Sequence, residues 1–226
     1  ILFYNRHLFY VHRRDFWLFI GSGMIGMTAL SVFYNISVTK GSLALSAVLL
    51  AMSPVFVLFL AAIFFHEPIT RHKLTCVTLA LIGCVLVSGV LESNGLSWSI
   101  TGILCGILAS FFYAVYGIIS KKVTQKGYHF LTITFYGTLF SGMTMLPFSN
   151  IHSLSSMIVS GQRTTFFILI IHALVSSVLP YALYSLSMRY MEAGKASILA
   201  SSEPAAAMLF GAVLYAETPG ILSICG

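Results

Sequence analysis

Long apolar runs alternate with short polar connectors along the whole chain. A helix that crosses a bilayer needs about 20 predominantly apolar residues. Seven stretches approach or exceed that length, at 16–39, 43–65, 74–91, 100–120, 129–148, 165–187 and 195–216. The connectors carry breakers and charges, as in His66-Glu67-Pro68-Ile69-Thr70-Arg71-His72-Lys73 and Glu92-Ser93-Asn94-Gly95. Residues 149–164 are Ser-rich and too polar to span. The chain opens at Ile1 in what reads as the last turn of a helix and stops at Gly226 just after a new apolar run begins. Both ends are expected to be truncated. The pattern predicts an all-α, polytopic transmembrane helix bundle.

Composition sharpens this reading. Of 226 residues, 58% are hydrophobic and 8% charged, and the mean hydropathy is +0.94. A soluble domain carries about 25% charged residues. A water-soluble globule could not coat itself with so few polar groups, whereas lipid removes the need. The net charge of +6 sits in short groups between apolar runs, so it reads as membrane topology and excludes a nucleic-acid face.

With the N-terminal segment in the cytoplasm, that side collects Arg6, Arg13, Arg14, Arg71, Lys73, Lys121, Lys122, Lys126, Arg189 and Lys195. The outer side collects only Lys40 and Arg163. Ten cations against two account for all twelve and place residues 1–15 in the cytoplasm, in an inner or plasma membrane. Trp17 and Trp98 fall at span ends, where interfacial indoles belong. The four cysteines form no CxxC pair and no metal-ligand spacing, so they read as small packing residues.

Sliding the chain on itself by 150 residues exposes an internal repeat. Tyr34-Asn35-Ile36-Ser37 falls on Tyr184-Ser185-Leu186-Ser187, Ser53-Pro54 on Glu203-Pro204, Ala62 on Ala212, and Glu67 on Glu217. Each copy has a Tyr-x-x-Ser helix end, a helix with a proline inside it, then a glutamate past the last apolar residue, Glu67 or Glu217, which reads as a termination and salt-bridge residue near the interface. Five spans separate the copies, an odd number, so the second is expected upside down relative to the first. Inverted repeats are the architecture by which many secondary transporters obtain two mirror-related states.

Leu45-Ser46-Ala47-Val48-Leu49-Leu50-Ala51-Met52-Ser53-Pro54-Val55-Phe56-Val57, with His66-Glu67-Pro68-Ile69-Thr70 after it, resembles the first repeat of the EamA-type drug/metabolite transporters. Ala196-Ser197-Ile198-Leu199-Ala200-Ser201-Ser202-Glu203-Pro204, followed by Glu217, resembles the second. The resemblance covers essentially the whole chain and implies ten helices in two five-helix inverted repeats. Residues 1–91 would be the end of the first repeat and 98–226 the second, with helix 1 and most of helix 2 missing. It further implies export of a small organic metabolite such as an amino acid or a related compound.

Glu203 is the only acidic residue well inside a span. Placing a charged carboxylate in hydrocarbon costs roughly 2.5–3.5 kcal/mol on insertion scales, so Glu203 should face a cavity or be protonated. It is a candidate for proton coupling or for holding a cationic ligand group. Equally, it could bond backbone freed by Pro204 or the hydroxyls of Ser201 and Ser202. The first repeat has Ser53 there, so the pseudo-symmetry is broken at the one charged position. Pro54 and Pro204 each delete an intrahelical hydrogen bond, so both helices should bend. Tyr34, Asn35, Tyr184 and Ser185 sit near the ends of paired helices and read as vestibule residues or interfacial anchors. Phe111, Phe112, Tyr113 and Tyr116 form an aromatic cluster suited to an apolar pocket or to packing. Gly102 and Gly106 form a GxxxG that permits close helix approach, within the bundle or between protomers.

His66, Glu67 and His72 do not make a zinc site, because the spacing is HExxxxH with Pro68 between the ligands. No GxxxxGK[ST] segment suggests ATP use. The expected partners are a small-molecule substrate, the lipid bilayer and protons, with no cofactor and no metal. Two rivals stand beside transport. A membrane-embedded enzyme would need polar groups converging on Glu203, and a structural or sensory protein would leave the repeat unused.

Overall fold

The computed structural model of the protein describes residues 10–88, 99–148, 163–215, 220 and 223–224. Its helices are α1 (Phe16–Lys40), α2 (Leu43–Leu50), α3 (Ser53–Phe65), α4 (Arg71–Val87), α5 (Ile100–Gln125), α6 (Phe130–Met145), α7 (Phe166–Tyr190), α8 (Ala193–Ala200) and α9 (Glu203–Tyr215). Among the described residues five rods are long and apolar enough to cross a membrane: α1, α2 with α3, α5, α7, and α8 with α9. The other two expected spans are helical too, but α4 has 17 described residues and α6 has 16. Trp98 lies outside the described residues.

The 150-residue repeat is written into the helix boundaries. α2 and α3 are separated by a turn at Ala51 and Met52, and α8 and α9 by a turn at Ser201 and Ser202. Adding 150 to 43–50 and 53–65 gives 193–200 and 203–215, the bounds of α8 and α9. The α-helical pattern thus lapses for two residues just before each proline, while Ala51, Met52 and Ser201 keep right-handed helical dihedrals. A proline ring presses on the carbonyl one turn back, so the turn ahead of Pro54 and Pro204 unwinds. Wider π turns occupy Gly21–Ala29 in α1 and Leu174–Val178 in α7, again at matching positions.

The chain forms two compact units, Ile1–Thr28 with Ile119–Tyr190, and Ala29–Ile118 with Met191–Gly226. Each draws on both sequence segments, 1–91 and 98–226, so the compact units are not the sequence repeats.

In the first unit Phe19, Val123 and Ile133 are fully buried, with Leu18, Ile119, Tyr128, Tyr136 and Phe140 around them. α1 and α6 touch closely at Gly23, where an added Cβ would lie 2.6 Å from the Gly137 carbonyl. Asp15, just ahead of α1, ion-pairs with Lys126 and accepts from the Tyr128 hydroxyl at 2.8 Å. Lys121 donates to the Met188 carbonyl at 2.8 Å, near the C-terminus of α7 where a cation suits the helix dipole.

In the second unit the Ser42 side chain caps α2 by accepting from the Leu45 N–H at 3.1 Å. The buried Ser37 and Ser46 hydroxyls meet at 2.8 Å. The GxxxG of α5 is used inside the chain. A Cβ on Gly106 would lie 2.9 Å from both Leu49 Cβ and Ser37 Oγ, and one on Gly102 would lie 3.3 Å from the Gly41 nitrogen. α8 packs on α3, and α4 lies against α8 and α9.

Candidate functional site

The second unit contains a cavity of about 770 Å³. It is bordered by both helix interruptions: Leu50, Ala51 and Ser53 from one, Ala200, Ser201, Glu203 and Pro204 from the other. α1 contributes Tyr34, α4 contributes Cys84, Val87 and Ser88, and α5 contributes Tyr113. Leu43, Ala44, Ala47, Val48, Ala207 and Met208 complete a mainly aliphatic wall. Interrupted helices at a cavity expose backbone groups that a continuous helix would consume, the usual construction of a binding site within a membrane.

Glu203 is an exposed residue in the first turn of α9, the positive end of that helix's dipole, which suits a carboxylate. Its carboxylate has no hydrogen-bond or ion-pair partner among the described residues, and Tyr34 lies within reach of its charge. The rival structural assignment of Glu203 to backbone or to the neighbouring serines therefore finds no bond in the described structure. The Ser201 hydroxyl instead donates to the Ile198 carbonyl at 2.6 Å and that of Ser202 to Leu199 at 2.8 Å.

Of the sequence candidates, Tyr34, Ser53, Ser201, Glu203 and Pro204 line the cavity. Ser202, Pro54, Asn35 and Tyr184 do not. Pro54 is buried, and the Asn35 amide donates to the Ser31 carbonyl at 2.8 Å in its own helix. Tyr184 is buried in the first unit. A pathway expected between the first, second, sixth and seventh apolar runs, 16–39, 43–65, 165–187 and 195–216, leaves out α4 and α5, which the cavity includes. Cys84, read as packing, is half wall and half packing: its thiol donates to the Ser201 carbonyl at 3.8 Å. The small-residue pattern of α4 held the only signal for this, and it is shared by any close-packed helix.

Beyond α8 the unit is closed by a second constellation. His66 ends α3 in a left-handed conformation at φ 53°, and the Glu67 N–H reaches back to the Ala61 carbonyl at 3.3 Å. That turn directs the Glu67 carboxylate onto the start of α8, where it accepts from the Ala193 N–H at 2.9 Å and the Gly194 N–H at 3.3 Å. The end of α3 therefore meets the beginning of α8, and both interruptions face one cavity, so the two broken rods run antiparallel. The buried Lys73 pairs with Glu192 at 2.7 Å and donates to the Pro68 carbonyl at 3.0 Å. Lys73 holds Glu192 below the usual carboxylate range. Glu67, expected to be a terminating residue, is a helix cap supplied from 126 residues away.

The chain matches the model of the EamA-like transporter family over residues 1–89 and 100–226. It is 26% identical over 206 residues to an uncharacterized transporter of Archaeoglobus fulgidus, covering 90% of this chain and 71% of that one. It is 22% identical to the uncharacterized transporter YdfC of Bacillus subtilis, over 90% of this chain and 65% of the relative. It is 26% identical to a probable amino-acid metabolite efflux pump of Salmonella typhimurium, over 80% of this chain and 62% of the pump. The chain thus spans roughly two thirds of the length of these relatives. A protein of known crystal structure shares the fold with a TM-score of 0.74 at 12% identity, over 96% of this chain and 73% of that one. Apolar helices of membrane-spanning length and a family match over nearly every residue lead to one conclusion: this chain is a multi-pass membrane protein that belongs to the EamA-like transporter family.

Proposed function

We propose that the protein of which this chain is part exports a small organic metabolite by alternating access, through the cavity bordered by the two helix interruptions. The observation that carries this reading is the coincidence of those interruptions. They recur at an offset of 150 residues, they interrupt antiparallel rods, and they open onto one space. Two inverted five-helix repeats, ending and beginning within 1–91 and 98–226, account for that coincidence, and the two matched segments support the division. A wall of aliphatic groups with Glu203, Ser53, Ser201 and Tyr34 suits a small amphiphile, in keeping with a relative described as an amino-acid metabolite efflux pump. Glu203 is the proposed coupling group, taking up and releasing a proton. The cation distribution supports an inner or plasma membrane with residues 1–15 cytoplasmic.

The test is efflux from cells or proteoliposomes carrying the full-length protein, with a panel of amino acids, their amides and esters, and amines, with and without a pH gradient. Ala47→Trp fills the cavity and should abolish efflux of whichever compound is exported. Leu79→Trp, on an exposed face of α4, should leave it intact. Efflux unchanged by Ala47→Trp would remove the cavity from the pathway, and pH-gradient dependence surviving in Glu203→Gln would remove proton coupling from Glu203.

A further inference from the structure

The charge pattern of the cavity narrows its ligand. Among the described residues that line it, Glu203 is the only formal charge, and no Lys, Arg or His reaches the wall. The remaining polar groups are hydroxyls of Ser53, Ser88, Ser201, Ser223, Tyr34 and Tyr113, and the Cys84 thiol. A carboxylate entering such a space would meet no cationic side chain among the described residues, and a charge left unpaired against an apolar wall is disfavoured. It would also approach the Glu203 carboxylate, a like charge. An ammonium entering the same space would meet a carboxylate that no described group already engages. Hydroxyls can serve either partner and so do not reverse the preference.

Resting on the transport reading of this cavity, we infer that the site takes an organic monocation, an amine with an apolar body, and rejects a free carboxylate. Among amino-acid-related compounds it selects those whose carboxyl group is absent, amidated or esterified. The apolar body lies against the Leu43, Val48, Val87 and Met208 side of the wall, and the ammonium pairs with the Glu203 carboxylate.

Three probes with one apolar body decide it: phenethylamine, N-acetylphenethylamine and phenylalanine. Binding to the purified full-length protein is measured by titration calorimetry at pH 7, in the wild type and in Glu203→Gln. Phenethylamine should bind at least tenfold more tightly than either companion. Glu203→Gln should remove that preference while leaving the N-acetyl compound's affinity unchanged. Phenylalanine binding as tightly as the amine, an amine preference that persists in Glu203→Gln, or no saturable amine binding would each overturn the inference. The comparison within the wild-type protein does not depend on the variant folding. Loss of efflux in Ala47→Trp without an amine preference leaves the transport reading standing and this inference refuted. An amine preference with efflux indifferent to Ala47→Trp gives the reverse.

Discussion

Glu67 offers a direct test of how the second unit is held closed, because one side chain serves a helix that begins 126 residues later. α8 has eight residues, about 12 Å of helix, and its own N-cap residue, Glu192, makes no side-chain cap bond. The first N–H groups of α8 therefore depend on Glu67. Removing a side-chain cap costs about 0.5–2 kcal/mol, and hydrogen bonds to charged groups contribute about 1.5–3 kcal/mol each. The 3.3 Å bond is weak and the site is half-buried, so water recovers part of the loss. Glu67→Ala should thus cost about 1.5–3 kcal/mol, and Glu67→Gln, which keeps one acceptor oxygen without the charge, about half of that. In a chain of this size 1 kcal/mol shifts the melting temperature by about 2–4 °C. Thermal unfolding of the detergent-solubilised full-length protein should show Glu67→Ala lower by roughly 3–12 °C, with Glu67→Gln between it and the wild type. An Ala variant that melts within 1 °C of the wild type would refute the cap as a stabilising contact.

Glycine substitutions should separate packed from open positions in the same melting assay. Gly194→Ala, whose Cβ would collide with Leu58 Cδ2, and Gly106→Val, against Leu49 and Ser37, should both destabilise, whereas Gly142→Ala meets nothing within 4 Å and should be neutral or stabilising by about 0.5–1 kcal/mol. Acid should weaken the ion pairs at Asp15 and Glu192, whose carboxyls are held low chiefly by hydrogen bonds from Lys126 and Lys73. A depressed folded value stabilises the fold above the ordinary carboxylate range near ~4 and the gain is lost as pH falls through the folded values. The melting temperature should therefore hold between pH 7 and 5 and drop below about 4. Lys126→Met with Lys73→Met should flatten that drop, and an equal drop in the double variant would count against it. Membrane-impermeant thiol labelling in a cysteine-free background should reach Lys40→Cys from outside intact cells and leave Arg14→Cys unlabelled, and the opposite pattern would reverse the proposed topology.

The helices were legible because lipid imposes a simple demand. Every backbone polar group must be satisfied within its own segment, so apolar runs of sufficient length become helices almost regardless of detail. The prolines were legible as disturbances for the same reason, since a missing N–H cannot be hidden. The form of the disturbance was not. Sequence predicts a bend at Pro54 and Pro204, and the structure gives the disturbance the form of a two-residue turn ahead of each proline. Whether a proline bends or interrupts depends on what neighbouring helices offer the freed carbonyls, and that information is tertiary. The matching π turns in α1 and α7 carry no sequence mark beyond small residues in the first of them.

The site divides along the same line. Glu203 stood out because a carboxyl within an apolar run demands an explanation, and Ser53 was found only because the repeat maps it onto Glu203. Tyr34 came from the same alignment, but its partner Tyr184 belongs to the other compact unit, so the pseudo-symmetry of the sequence does not carry every paired residue to one place. Cys84 and Ser88 were missed as wall residues, and Tyr113 was left open between pocket and packing, because small and aromatic groups in a membrane helix look alike whether they face a cavity or a neighbour. Glu67 was misjudged for a physical reason. A glutamate after a helix, ahead of Pro68, ordinarily ends in solvent, and nothing local tells that the chain returns its next helix start to that point. The matching glutamate in the second repeat, Glu217, lies outside the described residues. What the repeat preserves at this end is thus a residue type at a helix boundary. What the fold adds is a destination: Glu67 closes the end of one rod through its backbone N–H and organises the first turn of the antiparallel neighbour through its carboxylate.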